Sequence, residues 1–160
     1  MKKLTDEEII KEFKTFSSDK YSLIVSSTSQ ENIPLTNYSP FVEAEGCYYI
    51  CVSSNLPHFM NMQTTKISHI LIIEDEDKAE HIYARKRLYF NATCEILEEA
   101  EDVFKLFDKR YGDDLSFLRN MKDFRVIKLV PQEKSLVLGF GAAYKMDTNG
   151  NLGQKNIGHK

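Results

Sequence analysis

Apolar residues recur along the chain at two distinct spacings. Ile9, Ile10, Phe13 and Phe16 fall at helical intervals behind Thr5 and Glu8, a capping-box pair, and predict a helix over 5–17. From Tyr21 the pattern changes to alternation rich in β-branched residues, Tyr-Ser-Leu-Ile-Val-Ser-Ser-Thr, which predicts a strand over 21–28. Gln30-Glu-Asn-Ile-Pro34 supplies a turn into a second strand over 35–45, and Gly46 leads into a third over 47–53. Pro57 sits near the first turn of a short helix over 56–65. A strand over 67–74 runs into the charged stretch Glu74-Asp-Glu-Asp-Lys78, and a long strand is expected over 81–97. Ala100, Val103, Phe104, Phe107 and Tyr111 mark another amphipathic helix, closed by Gly112, with a short helical piece through Leu115, Leu118 and Met121. Strands over 124–130 and 135–144 complete the pattern.

Six to seven mostly sequential strands with few helices between them favour an antiparallel barrel over a parallel α/β sheet. One mainly β domain with flanking helices is expected over 1–145, followed over 146–160 by a polar tail containing Asn149-Gly150 and Gly153. At 160 residues the chain is long enough to bury a core, and 42% hydrophobic with 28% charged residues is ordinary for a soluble protein. No apolar stretch approaches the ~20 residues a membrane span needs. The N-terminus turns acidic too early for a secretory signal, so a cytoplasmic protein is expected. A net charge of −3 argues against a general nucleic-acid binder. Cys47, Cys51 and Cys94 form no CxxC pair and lie in apolar strand contexts, so neither a zinc site nor a disulfide framework is expected.

Candidate chemistry centres on Ala84-Arg85-Lys86-Arg87. Within a strand, alternation places Arg85 and Arg87 on one face and Lys86 on the other. Two guanidinium forks side by side suit a phosphate or a pair of carboxylates, and an edge strand guarded by its charges is the equal alternative. His58 heads a short helix whose free N–H groups and imidazole suit an anion, or it simply caps that helix. His69 and His81 read as structural or solvated. Gly139 and Gly141 let a ligand or another backbone approach the final strand. By position Asp123 is a turn residue, and His159 is a terminal residue with no upstream partner in any metal-binding pattern. No Ser-His-Asp order, P-loop or dinucleotide fingerprint occurs. Taken alone, these residues describe a small antiparallel barrel with an internal anion site.

The block Ile72-Ile-Glu-Asp-Glu-Asp-Lys-Ala-Glu and the run Tyr83-Ala-Arg-Lys-Arg-Leu-Tyr-Phe add a resemblance. With Tyr38-Ser-Pro-Phe, Lys122-Asp-Phe, Gly139-Phe-Gly-Ala-Ala-Tyr and the closing Gly158-His-Lys, the chain resembles bacterial haem-utilisation proteins of the HutZ/HugZ type. These belong to the pyridoxamine 5′-phosphate oxidase-like, FMN-binding split-barrel superfamily. The resemblance implies a split β-barrel homodimer with ligand sites at the subunit interface. It implies that His159 is the proximal ligand of the haem iron, with Asp123 of the partner chain nearby and Arg87 beside the haem. His58 matches a further histidine position. The implied activity is that of a haem oxygenase in iron acquisition: haem is opened with O₂ and an external electron donor, and Asp123 and Arg87 are the catalytic residues. A non-catalytic haem carrier or storage protein would use the same residues. A flavin oxidoreductase would instead hold the FMN phosphate with Arg85, Arg87 and His58.

Overall fold

The computed structural model of the chain describes residues 4–153. Its strands are β1 (Ser22–Thr28), β2 (Pro34–Ala44), β3 (Cys47–Ser53), β4 (Ile67–Ile73), β5 (Arg87–Leu97), β6 (Phe124–Val137) and β7 (Ala143–Met146). They form one antiparallel sheet in the order β3-β2-β1-β4-β5-β6-β7, and pairing of β3 with β6 closes the first six into a barrel. β7 adds outside that closure, along the second half of β6. The expected split-barrel class, mainly β with flanking helices, is what the chain adopts.

Alternation builds the interior. Leu23 and Val25 of β1, Ile70 and Ile72 of β4, and Leu88 and Phe90 of β5 point inward and are buried. α1 (Asp6–Thr15) starts at the Thr5–Glu8 capping box, with both reciprocal hydrogen bonds present, and contributes Ile9 and Phe13 to the same core. α2 (Pro57–Thr65) adds Phe59 and Met62. α3 (Glu101–Tyr111) instead lays Val103 and Phe107 against Val42, Tyr49 and Val126 on the outside of the barrel, forming a second cluster. Glu45 and Gly46 both take positive φ (53° and 75°), giving the two-residue hairpin turn that joins β2 to β3. Cys51 and Cys94 are buried like small hydrophobes, and burial pushes the Cys51 thiol up to about 12. Among the described residues no helix is long and apolar enough to cross a membrane.

Three expectations change. The long strand expected over 81–97 begins only at Arg87, because β4 ends at Ile73, the cross-strand partner of Arg87. Residues 81–86 therefore have no strand to pair with, and Ile82–Ala84 form a 3₁₀ turn. The break expected after residue 130 does not occur. Pro131, which has no N–H to donate, lies at the register shift between Phe90 and Ala92, and β6 continues past it. The single strand expected over 135–144 is instead the end of β6, a turn and β7. Gly139 (φ 143°) and Gly141 (φ 69°) lie in that turn, which Leu138 N–H closes on the Ala142 carbonyl at 2.9 Å.

The start of the expected tail also has structure. The Asp147 carboxylate accepts the N–H groups of Asn149 and Asn151 at 2.9 Å each, and Leu152 bridges back to Met146. His159 lies outside the described residues.

Candidate functional site

The residues singled out from sequence form two groups, set at opposite ends of β6. Asp123 immediately precedes the first residue of that strand, and Val137, its last, pairs with Arg87. On the order of 45 Å of extended strand separates them. Within one chain, Asp123 and Arg87 do not share a site.

At the first end, Arg85 and Arg87 do not form the parallel fork that strand alternation suggested. Arg85 lies in the connection before β5. Its Nε donates to the Glu74 carbonyl at 2.9 Å, Nη2 reaches the same carbonyl, and Nη1 pairs with Glu76 at 2.9 Å. Glu74 is also tied to the chain opposite, since its N–H donates to Lys86 O and its carboxylate accepts Lys86 N–H. Arg85 thus pins the loop. Arg87 is half-buried and donates one guanidinium N–H to the Arg85 carbonyl at 3.0 Å; no described carboxylate forms an ion pair with it.

Arg87 stands on the outer face of the barrel, beside Ile73 and two residues from Tyr89. Across that face one register row runs Tyr38, Ile24, Leu71, Tyr89 through β2, β1, β4 and β5. Tyr38 is 70% exposed, and the row is an apolar stripe with a cation near one end. Alongside it lies a cavity of about 280 Å³, lined in part by Lys20, Tyr21, Lys78 and Arg85. Its cations are already paired: Lys20 with Asp19, Lys78 with Asp75, Arg85 with Glu76.

Sequence reasoning missed an aromatic cluster between the loop before β5 and the β6–β7 turn. Tyr83 stacks on Phe140 (centroids 6.2 Å apart, planes at 13°), and His81 meets Phe140 edge-on at 5.0 Å. Tyr83 is 81% and Phe140 58% exposed. The available signal was Gly139-Phe140-Gly141, since a phenylalanine between two turn glycines is raised off the sheet rather than packed within it.

At the second end, the half-buried Asp123 accepts from Ser53 Oγ at 2.6 Å and from Asn55 Nδ2 at 3.4 Å, both on Oδ2. Its carbonyl takes the Ser54 N–H at 2.7 Å. No described residue donates to Oδ1. His58, in the first turn of α2, is neither an exposed cap nor a surface contact: it is 4% exposed. Its Nδ1 lies 3.3 Å from Asn37 Nδ2, which makes Nδ1 the acceptor and places the proton on Nε2. Burial lowers its pKa and keeps the ring neutral.

No protein-family model matches the chain. The haem oxygenase HutZ of Vibrio cholerae is 30% identical over 139 residues, covering 84% of this chain and 79% of HutZ. The solved structure of that protein, described as a haem storage protein, superposes with a TM-score of 0.71 at 28% identity, over 76% of this chain and 89% of its own. Campylobacter jejuni ChuZ superposes with a TM-score of 0.87 at 26% identity, over 99% of this chain and 68% of ChuZ. A Listeria innocua putative pyridoxamine 5′-phosphate oxidase shares the fold, with a TM-score of 0.62 at 16% identity over 80% of this chain and 97% of its own. With its closed barrel and its identity to HutZ over most of both chains, the protein belongs to the HutZ family of split-barrel proteins.

Proposed function

We propose that the protein binds haem between two copies of the chain and opens it oxidatively, using O₂ and an external electron donor, to release iron. The relationship to HutZ over most of both chains carries this reading. The residues present suit the ligand. An apolar outer stripe faces solvent, and beside it Arg87 has no acidic partner among the described residues; such a pairing fits a planar macrocycle with carboxylate arms. Because Asp123 and Arg87 stand at opposite ends of β6, a site using both takes them from different subunits of a two-fold dimer.

In this reading His159 offers its imidazole to the iron. Asp123 of the partner accepts that ring's other N–H on Oδ1, which fixes the tautomer and raises the basicity of the ligating nitrogen. Arg87 would hold a propionate. Haem, when bound, supplies the iron and conjugated ring at which the oxygen chemistry occurs. The FMN reading has weaker support, since Arg85 is engaged with Glu74 and Glu76 and His58 faces inward.

The test is a haem titration of wild type and His159→Ala, followed by reductant addition in air. Expected are a Soret band in the wild type, its weakening or displacement in His159→Ala, and conversion of the wild-type band to bile-pigment absorbance. A stable Soret band under reductant would mark a carrier rather than an oxygenase. Flavin absorbance with no haem binding would overturn the reading altogether.

A further inference from the structure

We infer that Ser53 is a positioning residue for Asp123: it occupies one carboxylate oxygen so that the other is presented in a single direction. This rests on the proposed role of Asp123 as acceptor for the iron-bound imidazole. Ser53 is the last residue of β3, in the otherwise apolar run Cys47-Tyr-Tyr-Ile-Cys-Val-Ser, and is 8% exposed. A hydroxyl buried there needs an acceptor. Its register partner is Phe124, which brings Asp123 alongside, and Ser53 Oγ donates to Asp123 Oδ2 at 2.6 Å. That length falls in the short range of charge-assisted O–H···O⁻ bonds.

The rest of the corner supports the same geometry. Asn55 N–H donates to Ser53 Oγ at 3.2 Å, which orients the hydroxyl, and Asn55 Nδ2 approaches Oδ2 from a second side at 3.4 Å. The Ser54 N–H to Asp123 carbonyl bond holds the backbone. Every described side-chain donor to Asp123 therefore falls on Oδ2. Without them the carboxylate would exchange among staggered rotamers, and the acceptor would be aimed only part of the time.

The experiment compares wild type, Ser53→Ala, Ser53→Thr and Asp123→Asn. For each, the iron–histidine stretching frequency of the ferrous haem complex is read by resonance Raman, with ferric haem affinity and the melting temperature of the haem-free protein alongside. Loss of an outer partner of a metal-bound histidine costs roughly 10–100-fold in affinity or activity, the scale expected for Asp123→Asn. Ser53→Ala should move the frequency and the affinity part of the way toward Asp123→Asn, and Ser53→Thr should restore both. If Ser53→Ala lowers only the melting temperature and leaves the frequency at the wild-type value, Ser53 is a brace for the corner and the proposal is overturned. Should Ser53→Ala not fold, Ser53→Cys, similar in size but a weaker donor, gives the same two outcomes. If Asp123→Asn itself leaves the frequency unchanged, the pairing of Asp123 with the imidazole fails, and the role of Ser53 falls with it.

Discussion

Arg87 donates to the carbonyl of Arg85 at 3.0 Å, so the two arginines act in series rather than side by side. Arg85 binds the loop through Glu74 and Glu76, and Arg87 rests on Arg85. Substitution should separate their roles. Arg85→Ala loses hydrogen bonds from a charged group, each worth about 1.5–3 kcal/mol, and should lower the melting temperature of the haem-free protein by several degrees. Arg87→Ala loses one such bond, so it should lower that temperature less than Arg85→Ala while weakening haem binding more. Thermal melts and haem titrations on both variants check this; equal effects of the two on binding would contradict it.

In the proposed dimer the outer row Tyr38, Ile24, Leu71, Tyr89 would be the surface through which the two copies meet. Tyr38→Asp with Leu71→Asp should turn a dimer into a monomer in analytical ultracentrifugation and abolish haem binding with it. A wild-type protein that sediments as a monomer at micromolar concentration would rule this surface out.

Tyr111 anchors α3 to the barrel through one hydroxyl. Its oxygen accepts the Phe41 N–H at 3.0 Å and lies 2.7 Å from the carbonyls of Tyr21 and Phe41. Phe41 is fully buried, so Tyr111→Phe leaves its N–H without an acceptor. A loss of about 1–3 kcal/mol is expected, read as a lower urea midpoint at unchanged slope. An unchanged midpoint would mean that the N–H finds another partner.

His58 sets a pH dependence whose sign follows from its burial. Desolvation lowers its folded pKa below the ordinary value of 6.5, so around and below that pH the unfolded chain binds the extra proton first. Stability should be flat above about pH 6.5 and fall as pH drops below it, down to the folded pKa. His58→Gln should remove this part of the slope between pH 7 and 5. Parallel curves for wild type and variant would show that His58 does not contribute.

The boundaries of α1, β1, β3, α2 and α3 were legible from spacing and cap chemistry, because each depends on interactions within a few residues. The Thr5–Glu8 box and the Pro57 start are local, and so is the alternation around Leu23 and Val25. The motifs around Arg85 and Gly139 likewise carry the resemblance to the family. Residues 81–86 misled because alternation describes a strand only where a partner exists, and that was decided by where β4 stops. Pro131 looked like a strand end, yet a register shift against β5 accommodates it.

Sequence alone thus determined the order of elements and the barrel class, since periodicity and caps act over a turn or two of chain, and its motifs carried the resemblance to the family. Tertiary structure decided which polar groups remain available. Pairing of strands far apart in sequence set Ser53 against Asp123, engaged Arg85, left Arg87 without an acidic partner among the described residues and buried His58. Such assignments depend on register and burial, which are properties of the whole closed sheet and of no single segment.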